Sequence, residues 1–346
     1  WHFTWTRTSV PQITSISVRD YEEILPVAPG GLRFEDATRK LLITQAPYHQ
    51  QLAKGADYWR QRLQIDFGTD VNGLQGIALG DADGDGADDV YVCQPGGLPN
   101  LLFLRHADGS LRDVSAGAGV DWMELTRAAL FVDLDNDGDQ DLVLAQDSYY
   151  MLMENDGSAH FTKRLETRVS GKLRSVAAAD IDTDGDLDLY FCGRNPNGDQ
   201  DQSVLGFPLP YHDANNGGPN VMLVNEGAWS FQDRTVAVGL DVNNRRFSFA
   251  CAWEDYDNDG DQDLYVANDF GRNNLYRNDL NVRGKFVDVA AALGAEDMSA
   301  GMSIVWGDAN RDGRMDAYVS NMFSSAGNRI AYQRQIRLGD SSQLAN

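Results

Sequence analysis

The sequence predicts an all-β protein whose main domain is a β-propeller of four-stranded blades. Three observations predict this fold. An acidic nine-residue loop occurs five times, short apolar runs flank every copy, and the whole unit recurs about every 50 residues. Self-similarity at such a period is typical of repeat proteins, because each unit covers its apolar faces with those of its neighbours.

The acidic loop has the pattern D-x-[DN]-x-D-G-x-x-D. Its five copies are numbered loops 1 to 5, and the residues within a copy are numbered positions 1 to 9. The copies are Asp81–Asp89, Asp133–Asp141, Asp180–Asp188, Asp255–Asp263 and Asp308–Asp316. Ordinary polar turns do not need the same places filled five times, so we expect the loops to share one task.

Apolar runs on both sides of each loop are interpreted as paired strands. The runs before the loops are LQGIALG, RAALFV, RSVAAA, FSFACAW and GMSIVWG, and those after them are DVYVC, DLVLA, DLYFC, DLYVA and DAYVS. A third run follows, as NLLFL, YYMLME, NVMLVN, NNLYRN and NRIAY. The fourth pairs an aromatic residue or leucine with an aspartate two places on, as in Phe34 and Asp36, Leu111 and Asp113, Phe231 and Asp233, and Phe286 and Asp288. Four short strands in about 50 residues predict one propeller blade.

Two insertions interrupt the repeat. Residues 193–220 add about 25 residues rich in Gly, Pro and Asn between loops 3 and 4, and long loops of this kind often carry function. Residues 45–63 place apolar and aromatic side chains at helical spacing, which predicts one amphipathic helix with a packing face. The members of this stripe are Tyr48, Leu52, Ala56, Trp59 and Leu63.

The repeat does not extend to the beginning of the chain. Residues 1–30 lack it, although WHFTWT and ITSISV look like strands. The predicted domains are therefore an N-terminal extension at 1–30, which closes the ring or contacts another subunit, and a propeller at 31–346.

The side-chain oxygens of each loop are spaced to surround one cation. Alternate residues of a tight loop point inward, so positions 1, 3 and 5 converge, and glycine at position 6 allows the sharp turn. The carbonyl of position 7 then points inward and the aspartate at position 9 closes the site, as in the first half of an EF-hand loop. The predicted ligands are Asp81, Asp83, Asp85, Ala87 and Asp89; Asp133, Asp135, Asp137, Asp139 and Asp141; Asp180, Asp182, Asp184, Asp186 and Asp188; Asp255, Asp257, Asp259, Asp261 and Asp263; and Asp308, Asn310, Asp312, Arg314 and Asp316.

An all-oxygen site with three or four carboxylates predicts Ca²⁺, with Mg²⁺ as the alternative, and argues against Zn²⁺, which prefers Cys and His. About five ions are expected. Loop 5 should be the weakest site, because Asn310 replaces a carboxylate and Arg314 brings a positive charge. Metal-free loops hold up to four like charges close together, so cation binding should stabilise the fold.

The formal net charge is -23, from 52 acidic and 29 basic residues. Such a chain repels phosphates, which argues against nucleic acid and anionic lipid as partners. No apolar run reaches the roughly 20 residues of a membrane helix. The first residue is Trp1, so we expect a processed or partial chain, from which a secretion signal could have been removed without leaving a trace. Cys93, Cys192 and Cys251 lie in apolar runs and are predicted as buried free thiols, with a bridge between the last two as the alternative.

These residues resemble the FG-GAP/VCBS repeats. Their calcium motif is D-x-D-x-D-G-x-x-D between two strands, and the fuller unit, with F-x-D and N-x-L-x-x-N, is similar to bacterial relatives of the cartilage acidic protein family. The resemblance covers residues 32–335 and implies an extracellular, calcium-binding propeller for adhesion or assembly, seven-bladed as in integrin α subunits. Its ligands would be the loop residues given above. Since five loops are visible, either the chain is a fragment or residues 1–45 and the C-terminal tail complete the ring.

Two functions from different classes remain open. One is a non-enzymatic, secreted interaction module whose partner is a protein, a surface glycan or a second copy of the chain. Contact with a second copy would be made through residues 1–30 by strand addition. The other is a secreted polysaccharide hydrolase or lyase on the same scaffold, since carboxylates abound. No standard catalytic motif appears. Tyr211, His212 and Asp213 form the candidate catalytic patch, and an ordered surface loop is the favoured interpretation of these three residues.

Overall fold

The structure, a computed structural model, describes residues 2–5, 13–17, 36–63, 75–196, 208–210 and 213–322. The chain forms two compact units, Trp1–Leu42 and Ile43–Asn346. In the first unit, strands β1 (His2–Trp5) and β2 (Ile13–Ser17) pair with each other in antiparallel orientation, and a short helix α1 covers Thr38–Leu42. The two strands predicted before residue 30 are therefore present, while the domain boundary at residues 30 and 31 stays a prediction.

Among its described residues, the second unit contains four antiparallel sheets of four strands, each a meander in chain order. The first sheet is β3 (Ile77–Gly80), β4 (Asp89–Val92), β5 (Leu101–Arg105) and β6 (Leu111–Asp113). The second is β7 (Thr126–Val132), β8 (Asp141–Gln146), β9 (Tyr149–Asn155) and β10 (Phe161–Arg168). The third is β11 (Gly171–Ala179), β12 (Asp188–Pro196), β13 (Val221–Asn225) and β14 (Phe231–Asp233). The fourth is β15 (Ser248–Glu254), β16 (Asp263–Asn268), β17 (Asn274–Asp279) and β18 (Lys285–Asp288), and β19 (Gly301–Gly307) pairs with β20 (Asp316–Asn321) after it.

The predicted all-β class and the four-stranded unit are confirmed. Each acidic loop joins the first strand of a sheet to the second, so the apolar runs around it are the strands that the sequence predicted. Strands of this kind pair because alternate side chains enter an apolar layer on each face of the sheet. Ring closure and the number of blades stay predictions.

Neighbouring sheets share apolar cores. Tyr91 and Leu102 of the first sheet pack with Leu144 and Met151 of the second, and all four are at most 1% exposed. A second core joins the second and third sheets, a third joins the third and fourth, and a fourth joins the fourth sheet to the β19–β20 pair. The second, third and fourth sheets thus cover their apolar faces with the sheets before and after them in the chain, as a repeat architecture requires.

The aspartate of the fourth strand fixes the small-residue turn that follows it. Asp113 Oδ1 accepts a hydrogen bond from the Ser115 amide at 3.1 Å, and this turn opens the short helix α3 (Ser115–Ala118). Similar bonds, of 3.0 and 3.2 Å, follow the fourth strands of the third and fourth sheets. The last of them precedes helix α5 (Ala290–Leu293), while helix α4 (Leu280–Arg283) lies between β17 and β18.

The predicted single helix over residues 45–63 is wrong. A π-helical turn covers Tyr48–Leu52 and a short helix α2 covers Ala56–Arg60. Gly55 separates them in an extended conformation with φ -72° and ψ 168°, since glycine weakens a helix interior and adopts other conformations readily. Within 45–63 the buried side chain is that of Gln51, which donates from Nε2 to the Pro99 carbonyl at 2.7 Å.

Residues 193–196 of the long insertion extend strand β12, and residues 197–207 and 211–212 lie outside the described residues. Cys93, Cys192 and Cys251 are free thiols, as expected; Cys93 and Cys192 are buried, whereas Cys251 is half-buried. A hydrogen bond with Cys192 and burial together raise the pKa of the Cys251 thiol. The bridge between these two cysteines, weighed as the alternative, is not formed.

Candidate metal centres

All five acidic loops fold through the same hydrogen bonds. The aspartate at position 1 accepts the amide of the glycine at position 6 through Oδ2, as Asp133 does from Gly138 at 3.0 Å. The same bond measures 2.9 to 3.0 Å in the other four loops. The aspartate at position 5 accepts the amide of position 7 in every loop. These bonds close the loop tightly and turn its carboxylates towards one another.

Two backbone positions in each loop are left-handed. Gly138 at position 6 has a φ of 97°, and the equivalent glycines lie between 83° and 98°. Position 4 is left-handed as well, from 61° to 72°, and is occupied by Gly84, Asn136, Thr183, Asn258 and Arg311. Sequence reasoning found the first of these positions and missed the second, although asparagine and glycine are the residues that tolerate this conformation best.

The aspartate at position 9 fastens the loop to its sheet. Asp141 is fully buried, and its Oδ2 accepts the Leu134 amide at position 2, while its Oδ1 accepts the Asn155 amide at the end of the third strand. Both bonds are 2.9 Å long. Asp89, Asp188 and Asp263 make the equivalent pairs and are at most 1% exposed.

Four loops gather three carboxylates whose oxygens lie within 4.8 Å of one another. Loops 1 and 4 use positions 1, 3 and 5, and loops 2 and 3 use positions 1, 3 and 9. Within the acidic loops, four buried carboxylate oxygens accept no hydrogen bond from the described residues, namely Oδ1 of Asp83, Asp133 and Asp135, at positions 1 and 3, and Oδ1 of Asp261, at position 7. A buried anionic oxygen without a donor is costly, so these atoms fit a cation as their missing partner.

The electrostatics of the loops point the same way. Burial, with a smaller contribution from neighbouring carboxylates, raises the pKa of Asp141, Asp188 and Asp263 to about 7. Burial and the Asp259 charge raise the pKa of Asp261 to about 6. An all-oxygen, hard donor set under this much mutual repulsion suits a hard divalent cation and not Zn²⁺.

Loop 5 differs from the other four. Its backbone keeps the common hydrogen bonds, but Asn310 donates from its amide to Asp312 at 3.1 Å and takes the place of a carboxylate. Among the described residues, the carboxylate groups that could hold a metal do not include one from loop 5, and Asp308, Asp312 and Asp316 are all exposed. This agrees with the lower affinity expected for that loop, which stays a prediction.

Side chains from the next sheet reach loops 1, 2 and 3, and sequence reasoning missed them. Trp229, in the turn between β13 and β14, donates from its indole nitrogen to Asp135 Oδ2 of loop 2 at 2.9 Å. Asn136 of loop 2 donates to the Asp186 carboxylate of loop 3 at 2.6 Å. Position 7, predicted to contribute a carbonyl alone, therefore also supplies a side-chain contact between loops. Its role as a metal ligand stays a prediction.

The candidate catalytic patch receives no support from the described residues. Tyr211 and His212 lie outside them, and the Asp213 carboxylate pairs with the Arg272 guanidinium at 3.2 Å. A separate open cavity of about 750 Å³ lies between the second and third sheets, near the strand ends remote from the acidic loops. Its floor includes Tyr150 and Asn244, and charged side chains stand around its rim, namely Arg168, Asp233, Asp241 and Arg245.

The loops and their flanking strands also match a known repeat. The model described as "FG-GAP-like repeat" matches residues 81–144, 133–191 and 255–319, which together make up about half of the chain. The chain belongs to the FG-GAP-like repeat family. The three matched segments contain loops 1 to 5, with the strands that lie between loops 1 and 3 and between loops 4 and 5, so the FG-GAP-like repeats coincide with the acidic loops and their flanking strands there.

Curated relatives are similar to this chain over part of their length. Cartilage acidic protein 1 of Homo sapiens is 29% identical over 157 residues, which cover 43% of this chain and 24% of the relative. The Xenopus tropicalis protein of the same name is 29% identical over 126 residues, 34% of this chain and 19% of the relative. The matched segments thus span about a quarter or less of these relatives.

Two solved structures are similar to the FG-GAP-like repeat chain at low identity. The biofilm matrix protein Bap1 of V. cholerae superposes with a TM-score of 0.41 and 14% identity, over 72% of this chain and 34% of Bap1. A lectin of Agrocybe aegerita that recognises non-reducing terminal N-acetylglucosamine gives a TM-score of 0.40 and 15% identity, over 69% of this chain and 59% of the lectin. Among the described residues, the FG-GAP-like repeat chain has no helix long and apolar enough to cross a membrane.

Proposed function

We propose that this chain is a secreted, calcium-binding β-propeller that acts as an adhesion or assembly module. Ca²⁺ would be structural, held in the acidic loops by the oxygens of positions 1, 3, 5 and 9 and the carbonyl of position 7. The observation that carries the proposal is the set of buried, donorless carboxylate oxygens at positions 1 and 3 of loops 1 and 2. Membership of the FG-GAP-like repeat family supports it.

The main effect of the bound cation would be to stabilise the fold. Each loop joins two strands at the seam between neighbouring sheets, so neutralising its carboxylates stabilises both the sheet and the seam. One site at a hundredfold excess of ligand contributes about 2.7 kcal/mol to the free energy of unfolding. Four or five such sites would decide whether the sheets stay stacked.

The partner we propose is a protein or a surface glycan. The cavity between the second and third sheets offers both signs of charge at its rim, from Asp241 and Arg245 among others, and so suits a neutral ligand rich in hydroxyl groups. Self-association through residues 1–30 is a second mode of assembly, to be tested by the mass of the particle in solution with and without those residues. The hydrolase or lyase alternative has no arrangement of the described residues that favours it.

Calcium dependence tests the proposal most directly. The melting temperature is expected to fall by about 10 °C or more when Ca²⁺ is replaced by EGTA, given several sites and about 2–4 °C per kcal/mol for a domain of this size. Calorimetric titration should count four or five Ca²⁺ ions. An unchanged melting temperature in EGTA would contradict the proposal that Ca²⁺ is structural. Binding to immobilised glycans, compared between the parent and Asp241→Asn, tests the glycan partner separately.

A further inference from the structure

An asparagine ends the third strand of the second and third sheets, and an asparagine is the last but one residue of the third strand of the fourth sheet. These residues are Asn155, Asn225 and Asn278, and they are 3%, 1% and 2% exposed. Their backbone amides donate to Oδ1 of the position 9 aspartate in their own loop at 2.9, 2.8 and 2.7 Å. Each asparagine is thus fixed to one acidic loop through its main chain.

The side-chain amide of the same asparagine bridges two loops. Asn225 donates from Nδ2 to the Leu134 carbonyl at position 2 of loop 2, at 2.8 Å, and to the Leu187 carbonyl at position 8 of loop 3, at 3.4 Å. Asn155 bridges loops 1 and 2 with bonds of 2.8 and 3.0 Å, and Asn278 bridges loops 3 and 4 with bonds of 2.8 and 3.3 Å. A side-chain amide has two donor hydrogens, and here each loop of a pair receives one.

Other contacts cross the same seams. The Gln140 side chain of loop 2 accepts the Asp81 amide of loop 1 at 2.8 Å, and the Ala159 amide donates to the Ala82 carbonyl of loop 1 at 2.9 Å. Neighbouring loops therefore form one hydrogen-bonded network, in which ordering one loop restrains the next. In buried networks of this kind the partners depend on one another more than single contacts suggest.

The first sheet lacks the bridging asparagine, and its loop has no preceding acidic loop among the described residues. Arg105 stands at the end of its third strand, where the other sheets have asparagine, and it is exposed. Its backbone amide still donates to Asp89 at 2.8 Å. Among the described residues no acidic loop precedes loop 1, so there is no second loop for an asparagine to reach. The bridging residue occurs where two loops meet.

We propose that Asn155, Asn225 and Asn278 are positioning residues that couple neighbouring cation loops, so that a cation bound in one loop strengthens binding in the next. The proposal rests on cation binding by the loops. A cation that orders one loop holds the shared asparagine in place, and the neighbouring loop then has less order left to gain on binding. Couplings of this type typically change affinity by about fivefold or more.

Loop 2 carries its own optical reporter, because the Trp229 indole donates to Asp135. The probe is Tb³⁺, a hard cation whose luminescence is sensitised by a nearby indole, and the loop 2 signal is the part lost in Trp229→Phe. Asp184→Ala disables loop 3. We expect this change to weaken Tb³⁺ binding at loop 2 by about fivefold or more in the parent chain.

The bridge is then tested in the Asn225→Ala background, where disabling loop 3 should leave the affinity of loop 2 unchanged. Asn220→Ala is the matched control. Asn220 is a buried asparagine of the same segment, 2% exposed, but it bonds to the Gly193 amide and the Tyr190 hydroxyl, away from the loops. In this control, disabling loop 3 should still weaken loop 2.

Each result has a distinct meaning. If Asp184→Ala leaves loop 2 unchanged in the parent, or if Asn220→Ala removes the coupling as fully as Asn225→Ala, the coupling proposal is overturned. Should Asn225→Ala fail to fold, Asn225→Ser keeps one donor and is expected to reduce the coupling, and full coupling in that variant would contradict the bridge. Absence of Tb³⁺ binding together with a melt insensitive to Ca²⁺ would instead overturn the calcium function itself.

Discussion

Replacing Asp141 by asparagine separates the cation's effect from that of the fold. Asp141 is fully buried and accepts two backbone amides at 2.9 Å. An asparagine can accept one of these bonds and presents a donor to the other, which costs about 1–3 kcal/mol. The change also removes a buried negative charge, which destabilises the fold when no metal is bound.

The size of that second effect follows from the pKa. Burial raises the pKa of Asp141 to about 7 from 3.8, so at about pH 8 the buried charge lowers the free energy of unfolding of the metal-free protein by about 4 kcal/mol, at 1.36 kcal/mol per unit. In EGTA, Asp141→Asn should therefore be neutral or stabilising. With Ca²⁺ at a hundredfold excess, losing the site removes about 2.7 kcal/mol. The change in the free energy of unfolding from parent to variant should therefore be about 3 kcal/mol more unfavourable in Ca²⁺ than in EGTA.

Urea unfolding in the two solutions measures this difference. Asp113→Asn is the control, because Asp113 also accepts a backbone amide, that of Ser115, but lies outside the acidic loops. Its effect should be the same with and without Ca²⁺. An equal loss of stability for Asp141→Asn in both solutions would refute the assignment of Asp141 to a cation site.

Three further perturbations have defined outcomes. Burial raises the pKa of Asp188 to about 7, so between about pH 4 and 7 the native metal-free protein binds more protons than the unfolded chain. In EGTA, the melting temperature should therefore rise as the pH falls from about 8 to 6. In Ca²⁺ the melting temperature should fall over the same range, because protons compete with the cation for the ligands. Gly138 has a φ of 97°, so Gly138→Ala should lower the free energy of unfolding, measured in urea, by about 1–3 kcal/mol. The control is Gly117→Ala in a helix, where the added methyl group also meets open space. This change should raise the free energy of unfolding by up to about 1 kcal/mol. Asn310→Asp restores the missing carboxylate of loop 5 and should add one Ca²⁺ ion, or tighten the weakest one, in a calorimetric titration.

The strands and loops could be predicted because their causes are local. The motif fixes where the chain turns, and the apolar runs on either side fix which segments enter a core, so every predicted flanking strand that lies in the described residues is present. The helix over residues 45–63 failed for an equally local reason. The prediction followed the apolar spacing alone, whereas in the structure the first turn ends at Leu52 and the extended Gly55 precedes a separate helix that begins at Ala56.

The contacts between loops could not be predicted, because nothing in the spacing of one repeat states which atoms of the next will touch it. Asn225 bonds to a carbonyl 91 residues earlier in the chain, and Trp229 to a carboxylate 94 residues earlier. Both residues stand in runs that read as ordinary strand ends. Their role depends on the stacking of one sheet on another, which packs the turn after each third strand over the preceding loop.

This stacking changes how the acidic loops should be understood. A loop taken alone is a set of like charges that opposes folding, and a cation relieves the repulsion within that loop. In the stacked sheets, loops 1, 2 and 3 are each covered by the turn of the following sheet, so the carboxylates that gather a cation also lie along the seam between two sheets. Loop 5, whose carboxylates are exposed, lacks such a cover among the described residues. Cation affinity along the chain should therefore follow the burial of each loop by its neighbour as much as its count of carboxylates.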